Sequence, residues 1–346
     1  MVAGDPTAVD PPAARRRKRL VGFIVSAVLL FLAIIASIII GSRDIPLGSV
    51  LETLRLGPGG TADAVVVFEL RLPRTIIGVA AGLALGLSGA LIQAVTRNPL
   101  ADPGILGVTS GASFAVAIAV GVLGLTSVSG YLWFAFGGAL VATVVVYLIG
   151  SAGRGGGSPV RLSLTGVALG AVLSGITSAI VLADPEGFQA MRAWESGSLT
   201  DRGWDAIPTV LPFLAAGVVL SFVIARSLNA IALGDDLAAS LGANVLVTRV
   251  LAVAAVTLLA GGATALAGPI TFVGLMVPHV ARWIVGPDQR WILAYSLLFA
   301  PILLLVADIA GRLVIRPAEL PAGIITAVLG APVLIYLVRR QKASAL

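Results

Sequence analysis

The sequence predicts an all-α polytopic membrane protein with about ten transmembrane helices, and three observations lead to that class. Hydrophobic residues make up 58% of the chain, charged residues only 12%, and the mean hydropathy is +1.03. A soluble domain carries about 25% charged residues, so this chain cannot cover a globular surface with polar groups. The 41 glycines fit the same class, since small residues let membrane helices approach closely.

The apolar stretches give the order of the predicted helices. The first, Leu20–Gly41, is about 20 residues long, which is enough to cross a bilayer. It follows a basic run and shows no persuasive cleavage site, so we interpret it as a retained helix rather than a signal peptide. Residues 1–19 are predicted to form a disordered cytoplasmic tail and residues 341–346 a cytoplasmic C-terminal tail. Within one transmembrane domain over residues 20–340, nine further spans follow at about 73–95, 104–124, 131–150, 162–182, 206–226, 248–268, 271–285, 291–310 and 322–338.

The basic residues orient these spans. With the N-terminus inside, ten spans return the C-terminus to the cytoplasm, and the 23 Lys and Arg residues divide into 15 inside and 8 outside. This bias agrees with the positive-inside rule, and the opposite orientation would violate it. Membrane topology therefore explains the net charge of +6 better than nucleic-acid binding does, and we expect no nucleic-acid partner.

Missing residue types exclude several kinds of chemistry. The chain has no Cys, which removes disulfides, iron–sulfur clusters and Cys-ligated zinc. Its single His cannot form a paired-histidine site for haem or metal. Lys occurs only at positions 18 and 342, and neither follows Gly, so the chain contains no P-loop. We expect a protein that is not an enzyme and holds no cofactor or metal. If nucleotide energy drives it, a partner subunit must bind and hydrolyse the nucleotide.

Small residues recur every four positions in two predicted helices. One series contains Gly78, Gly82 and Gly86, and the other begins with Gly166 and Gly170 and continues with serines. Each series leaves a face without bulky side chains, against which a neighbouring helix can pack closely. Close packing alone explains this pattern, and the alternative is that these faces slide during a transport cycle.

Charged groups inside the predicted spans are scarce. Asp308 is the only acid well inside a span, and it lies four residues before Arg312, a favourable spacing for an ion pair on a helix. Ion-coupled carriers place acids or histidines at the middle of the membrane, and here only His279 and Asp308 are available. This scarcity weighs against an ion-coupled secondary carrier, which stays the alternative from a different class.

Two polar segments have both a structural and a functional interpretation. Arg71 and Arg74 flank a proline at the predicted outer start of the second span, either as anchors at the membrane surface or as a docking point for an acidic partner. Asp235 and Asp236 begin a short predicted helix in a cytoplasmic loop, with Gly242 as its stop. That helix is either a solvated loop element or one that fits a groove on a partner.

Several motifs in a fixed order extend over about residues 69–338, and their combination is specific although no single one would suffice. They are Arg71-Leu72-Pro73-Arg74, the run from Gly89 through Gln93 to Asn98-Pro99-Leu100-Ala101-Asp102-Pro103-Gly104-Ile105-Leu106-Gly107, Trp194-Glu195-Ser196-Gly197-Ser198-Leu199, Gly234–Gly242, Gly268–Arg282, and Glu319-Leu320-Pro321-Ala322-Gly323 with Gly330-Ala331-Pro332. In these motifs the chain resembles the permease subunits of ABC importers for iron–siderophore, haem and cobalamin complexes, the FecCD family. Ala322 stands where Val is usual.

The resemblance implies an assembly and assigns residues to it. We expect ten helices per subunit, a dimer with a second copy or a paralogue, two cytoplasmic ATPase subunits that bind ATP and Mg, and an extracytoplasmic substrate-binding protein. In similar permeases, outer arginines pair with glutamates of the binding protein, and the matching positions are Arg71, Arg74 and Arg312. The coupling loop would cover about residues 227–247, and its contact residues would be Gly234, Asp235, Asp236, Ala238, Ala239, Ser240, Leu241 and Gly242. The inner gate would lie at Ser158, Pro159 and Val160.

The implied mechanism is alternating access in the plasma (inner) membrane of a bacterium, with both termini in the cytoplasm. Closure of the ATPase dimer would push on the coupling helices and release a ferric siderophore from a largely apolar cavity. Import of cobalamin or haem by the same machinery is the alternative cargo. The permease need not ligate the metal, because it would carry the whole chelate.

Overall fold

The computed structural model describes residues 12–125, 127–152, 159–183, 189, 191–192, 194–200 and 202–343, and its regular structure in these ranges is helical without strands. The predicted fold class is confirmed. The helices are α1 (Pro12–Ile39), α2 (Leu47–Leu56), α3 (Ala62–Thr96), α4 (Val108–Ala117, continued by a wide turn over Ile118–Val122), α5 (Val128–Ser151), α6 (Pro159–Ala183), α7 (Ala206–Val223), α8 (Ala225–Ile231), α9 (Asp235–Ser240), α10 (Val245–Ala267), α11 (Val273–Val285), α12 (Gln289–Val314) and α13 (Ala322–Ala343).

In the part of the chain that the structure describes, ten apolar helices overlap the ten predicted spans. Within the described residues, seven helices are long and apolar enough to cross a membrane: α1, α3, α5, α6, α7, α10 and α12. The remaining three are shorter apolar helices, over Val108–Gly121, Val273–Val285 and Ala322–Tyr336. Short helices occur in membrane proteins where neighbouring segments form hydrogen bonds with the backbone groups beyond the end of the helix.

Helix α1 starts earlier than the sequence indicated. It begins at Pro12, so residues 12–19, assigned above to a disordered tail, are helical, and residues 1–11 lie outside the described part. The basic run adds two turns to an apolar helix, and its members are good helix formers. At the other terminus α13 continues to Ala343, which shortens the expected C-terminal tail.

Helix α3 also starts earlier, at Ala62 instead of at position 73. The sequence interpretation took Pro73 as a helix start, because proline has no N–H to donate within a helix. Instead, a wide turn over Val66–Arg71 precedes it, and the N–H of Leu72 bonds to the carbonyl of Val67. This wider turn changes the bonding register just before the proline and lets the helix continue through it.

The glycine series of α3 packs directly on the backbone of α12. A Cβ atom added at Gly82 would lie 2.6 Å from Cα of Pro301, and one added at Gly86 would lie 2.7 Å from the carbonyl oxygen of Ser296. One added at Gly78 would lie 2.8 Å from a methyl carbon of Leu305. The predicted close packing is therefore present, and it makes α3 and α12 the tightly joined pair at the centre of the bundle.

Substituting Gly82 by Ala tests this packing. The added methyl group has to displace the backbone of Pro301, so we expect Gly82→Ala to destabilise the protein by about 1–3 kcal/mol. Gly137→Ala is the matched control, since a Cβ atom there meets nothing within 4 Å. Thermal unfolding of the purified protein in detergent would measure both. Equal midpoints for the two variants would contradict the packing.

Candidate functional site

Three of the predicted site residues, Arg71, Arg74 and Arg312, lie together at one end of the helix bundle, the arginine end. All three are buried, with exposed fractions of 4%, 7% and 1% respectively. A buried guanidinium is costly unless charged partners and hydrogen bonds satisfy it. The contacts of these three side chains therefore explain how this end is built.

Asp308 is the centre of the arginine end and is fully buried. Arg74 binds it through Nε at 3.0 Å and Nη2 at 2.7 Å, and Arg312 binds it through Nε at 3.0 Å and Nη2 at 2.5 Å. The remaining group of Arg74, Nη1, donates to Glu319 at 2.5 Å. Forked arginine–carboxylate pairs of this kind are strong and geometrically specific. They join α3 to α12 and to the turn that follows α12.

The other donors of these arginines satisfy the carbonyl end of α1. Arg71 donates to the carbonyls of Ile38 at 3.0 Å and Ile39 at 2.6 Å, and Arg312 donates to those of Ser37 at 2.7 Å and Ile40 at 2.8 Å. The last carbonyls of a helix have no partners in their own helix and carry partial negative charge. Two arginines therefore cap α1 and attach it to the bundle.

The sequence left two interpretations of these arginines open, as docking points for an acidic partner or as anchors at the membrane surface. In the subunit, Arg71, Arg74 and Arg312 direct their hydrogen bonds inward. They do line the floor of a cavity of about 530 Å³, together with Arg43, Arg202, Glu69 and Glu319. The five arginines of the lining stand against Glu69 and Glu319, and two further acids bind them, because Asp308 pairs with Arg74 and Arg312 and Asp63 pairs with Arg43. One positive charge is left in excess, and it attracts acidic groups.

Glu319 shows how that charge acts on an acid in the cavity. Burial opposes ionisation of this carboxyl, but hydrogen bonds from Ser42 and Arg74 and the charge of the arginines prevail, and the pKa of Glu319 lies below its ordinary value. A carboxylate is thus stabilised at this position. The sequence analysis placed Glu319 only within a motif and did not identify its partner.

The predicted coupling residues form a second site. Helix α9 covers Asp235–Ser240, between Gly234 at φ +115° and Gly242 at φ +82°. Its two acids have different surroundings, because Asp235 binds Arg97 and also binds Arg249 at 2.8 Å, whereas Asp236 is exposed. Ala238 is buried. The other expected contact residues, Ala239, Ser240, Leu241 and Gly242, are exposed.

Arg97 fixes the position of α9, and the sequence analysis missed it. This residue follows the end of α3 with φ +51°, a left-handed conformation that is uncommon outside glycine. Its Nε donates to the carbonyl of Ile231 at 2.9 Å, and its Nη2 pairs with Asp235. The interaction joins residues 138 positions apart, so no local pattern could have indicated it.

The other sequence candidates are placed as follows. Ser158 of the expected inner gate lies outside the described residues, α6 begins at Pro159, and Val160 is 68% exposed. His279 contacts Trp283 edge to face at 4.7 Å between ring centroids. Asp308, the other candidate for ion coupling, is bound by two arginines. Within the described residues, no group of three His, Cys, Asp or Glu residues could hold a metal ion.

A chain built of these apolar helices is a multi-pass membrane protein. A model of the FecCD transport family matches residues 29–340, and the chain belongs to that family. The family assignment made from the motifs is thereby confirmed.

Similar proteins with curated names agree with the family assignment. The chain is 49% identical over 314 residues to the ferric enterobactin transport system permease protein FepD of Escherichia coli (strain K12), covering 90% of this chain and 93% of FepD. It is 40% identical to the iron(3+)-hydroxamate import system permease protein FhuB of Bacillus subtilis (strain 168), covering 91% and 82%. A solved inward-facing structure of a metal-chelate type ABC transporter is similar with a TM-score of 0.80 at 26% identity, covering 92% and 98%.

Replacing Asp308 tests the arginine end. Asp308→Ala leaves two buried guanidinium groups without their carboxylate, so we expect a loss of about 3–5 kcal/mol of stability and little folded protein in the membrane. Arg74→Glu has the same effect, because it places a third acid beside Asp308 and Glu319. Arg55→Glu, at an exposed position of α2, is the control. Normal amounts of protein for Asp308→Ala would show that the network does not hold the fold.

Proposed function

We propose that this chain is the transmembrane permease subunit of an ATP-driven importer that moves an iron–siderophore complex into the cytoplasm. The match to the FecCD transport family over residues 29–340 carries this proposal. The relatives named as permeases for ferric enterobactin and iron(3+)-hydroxamate support the cargo, and the similar metal-chelate transporter supports the machinery. In this proposal a second permease subunit, either another copy or a paralogue, completes one translocation path.

The arginine end is the surface on which an extracytoplasmic binding protein docks. Its cavity carries excess positive charge, and Arg43, with 57% of its side chain exposed, stands among the lining residues. A glutamate of the partner that enters the cavity meets the field of Arg71, Arg74 and Arg312, as Glu319 does. These three arginines attract the partner by charge, while their hydrogen bonds stay within the subunit.

The opposite end of the bundle, with α9, faces the cytoplasm and contacts a dimer of ATPase subunits. Leu237 and Leu241 are 49% and 63% exposed, and Asp236 lies beside them. An exposed helix with apolar anchors fits a groove on a partner. Asp235 has a different task, because its two arginine contacts hold α9 against the bundle. Nucleotide-driven closure of the ATPases then moves α9, and the segment that begins α6 opens as the inner gate.

Both termini lie in the cytoplasm of a bacterium in this arrangement, and the chain is a multi-pass protein of the plasma membrane. The helical basic extension of α1 supports that orientation, since Lys and Arg collect on the cytoplasmic side. The partner ATPases bind ATP and Mg, and this chain forms part of the translocation path through the membrane.

Uptake by cells that lack only this gene tests the function. We expect loss of radiolabelled ferric siderophore uptake and unchanged uptake of labelled cobalamin, and the gene on a plasmid restores siderophore uptake. If cobalamin uptake alone is lost, the cargo assignment is wrong while the machinery stands. If neither is lost in a strain without a paralogue, and uptake of labelled haem is also unchanged, the permease assignment is wrong.

Charge reversal at the two acids of α9 distinguishes the residue that contacts the ATPase, Asp236, from the residue that holds the helix in position, Asp235. We expect Asp236→Lys to leave the amount of folded permease unchanged but to lower uptake about tenfold and to uncouple ATP hydrolysis from the binding protein, because the charge lies on the contact surface. Asp235→Lys places a cation beside Arg97 and Arg249, so we expect it also to lower stability. Glu52→Lys on exposed α2 is the control. Normal uptake and normal stimulated hydrolysis in Asp236→Lys would remove α9 from the coupling surface.

A further inference from the structure

A cavity of about 400 Å³ between α4, α6 and residues 194–200 is lined almost entirely by polar side chains. We name it the hydroxyl cavity. Its hydroxyl groups come from Thr109, Ser110, Ser113, Ser174, Thr177 and Ser178. Glu195 and Pro269 complete the lining. No basic residue is among the lining residues in the part of the chain that the structure describes.

The glycine series of α6 explains how the cavity arises. At Gly166 the helix touches the carbonyl oxygen of Ile105, and at Gly170 an added Cβ atom would lie 3.0 Å from Oγ of Ser110. One and two turns further along, the same face carries Ser174 and Ser178, which are exposed. The two segments thus pack tightly at the start of α6 and separate where the series changes from glycine to serine. Hydroxyl groups occupy the surface that this separation opens.

Thr177 shows that this surface is incomplete without a hydrogen-bonding partner. Its side chain is 6% exposed, yet its Oγ1 has no hydrogen-bond partner in the structure. Threonine within a helix commonly bonds to the carbonyl four residues earlier, and Thr143 and Thr257 do so at 2.8 Å each. A buried hydroxyl without a partner costs free energy, and a polar group of a ligand in the cavity can satisfy it.

Glu195 determines the charge of the cavity. Glu195 is exposed, and within the described part of the chain no hydrogen bond or ion pair binds its carboxyl group. Desolvation by neighbouring atoms raises its pKa above the ordinary value. In its ionised form this acid attracts a cation or a hydrogen-bond donor and repels an anion. The charge of the hydroxyl cavity is thus opposite in sign to that of the arginine end.

We propose that the hydroxyl cavity is a contact site for the cargo and favours ferric chelates that are neutral or cationic over polyanionic ones. The proposal rests on the function proposed above, since it names the chemical class of the siderophore. Three hydroxamate groups neutralise Fe³⁺, and the oxygens that bind the iron remain hydrogen-bond acceptors to which the hydroxyl groups of the cavity can donate. Three catecholates leave the chelate trianionic, and Glu195 opposes its passage.

The test reverses the charge at Glu195 in the complete transporter with its ATPase and binding protein. Uptake of a ⁵⁵Fe-labelled trihydroxamate with a pendant ammonium group is compared with that of a ⁵⁵Fe-labelled triscatecholate, each relative to wild type. We expect Glu195→Lys to lower uptake of the trihydroxamate at least about fivefold and to leave the triscatecholate unchanged or faster. Glu195→Gln should give a smaller change in the same direction. Glu52→Lys, distant from the cavity, should change neither.

Thr177→Val tests the hydroxyl contact independently of charge. We expect it to lower trihydroxamate uptake about threefold to tenfold, with recovery in Thr177→Ser and no effect of Thr257→Val, whose hydroxyl is bonded within its own helix. The amount of permease in the membrane and the ATP hydrolysis stimulated by the binding protein are measured for every variant. If Glu195→Lys does not reach the membrane, the ratio of the two chelates in Glu195→Gln decides.

Three results would overturn the inference. The first is an unchanged ratio of the two chelates in the Glu195 variants, and the second is a wild-type transporter that carries only the triscatecholate. The third is an equal loss of both chelates accompanied by loss of the permease dimer, which would make the cavity a subunit contact. A wild-type complex that transports neither chelate would instead contradict the proposed function itself.

Discussion

The requirement that a buried carboxylate be matched by buried guanidinium groups organises this structure. Asp308 is fully buried and accepts forked bonds from Arg74 and Arg312, which would otherwise be isolated charges in an apolar bundle. Because these arginines also bind Glu319 and the carbonyl end of α1, the network joins α1, α3, α12 and the start of α13. Only 17% of the most apolar stretch of helix α1 is buried, so polar contacts matter for its attachment, and at its other end Tyr295 donates to the carbonyl of Arg19 at 2.7 Å.

The packing of small residues is the second constraint, and it acts where the ionic network does not reach. The glycines of α3 let its backbone touch that of α12, and dispersion contacts between close helices replace the hydrophobic effect that is missing in lipid. Further along α3, Gln93 donates to the carbonyls of Gly274 at 3.3 Å and Leu275 at 3.1 Å, which lie in the short helix α11. Polar contacts thus fasten the two ends of α3, and close packing fastens its middle.

The sequence indicated the helices because hydropathy is a local property, and its orientation rule placed Arg71, Arg74 and Arg312 on one side of the membrane. Their burial was not predictable in the same way. Arg74 meets Asp308 across 234 residues of sequence, and such a pairing leaves no local signal. The same holds for Arg97 with Asp235. The helical spacing of Asp308 and Arg312 is the exception, since a separation of four residues is visible in the sequence and the pair is present.

Helix α3 connects the two polar ends, and this gives the fold a mechanical consequence. Arg71 and Arg74 lie in its first half, and Arg97 just beyond its last turn holds α9 through Ile231 and Asp235. Backbone contact with α12 makes bending of α3 within this span costly, because a displaced turn would clash with Pro301. If α9 is the coupling helix proposed above, a push on it reaches a rigid pair of helices rather than a flexible loop. Helix α3 has few contacts with α6, so movement of the pair in the proposed cycle meets least resistance on the side where the hydroxyl cavity lies.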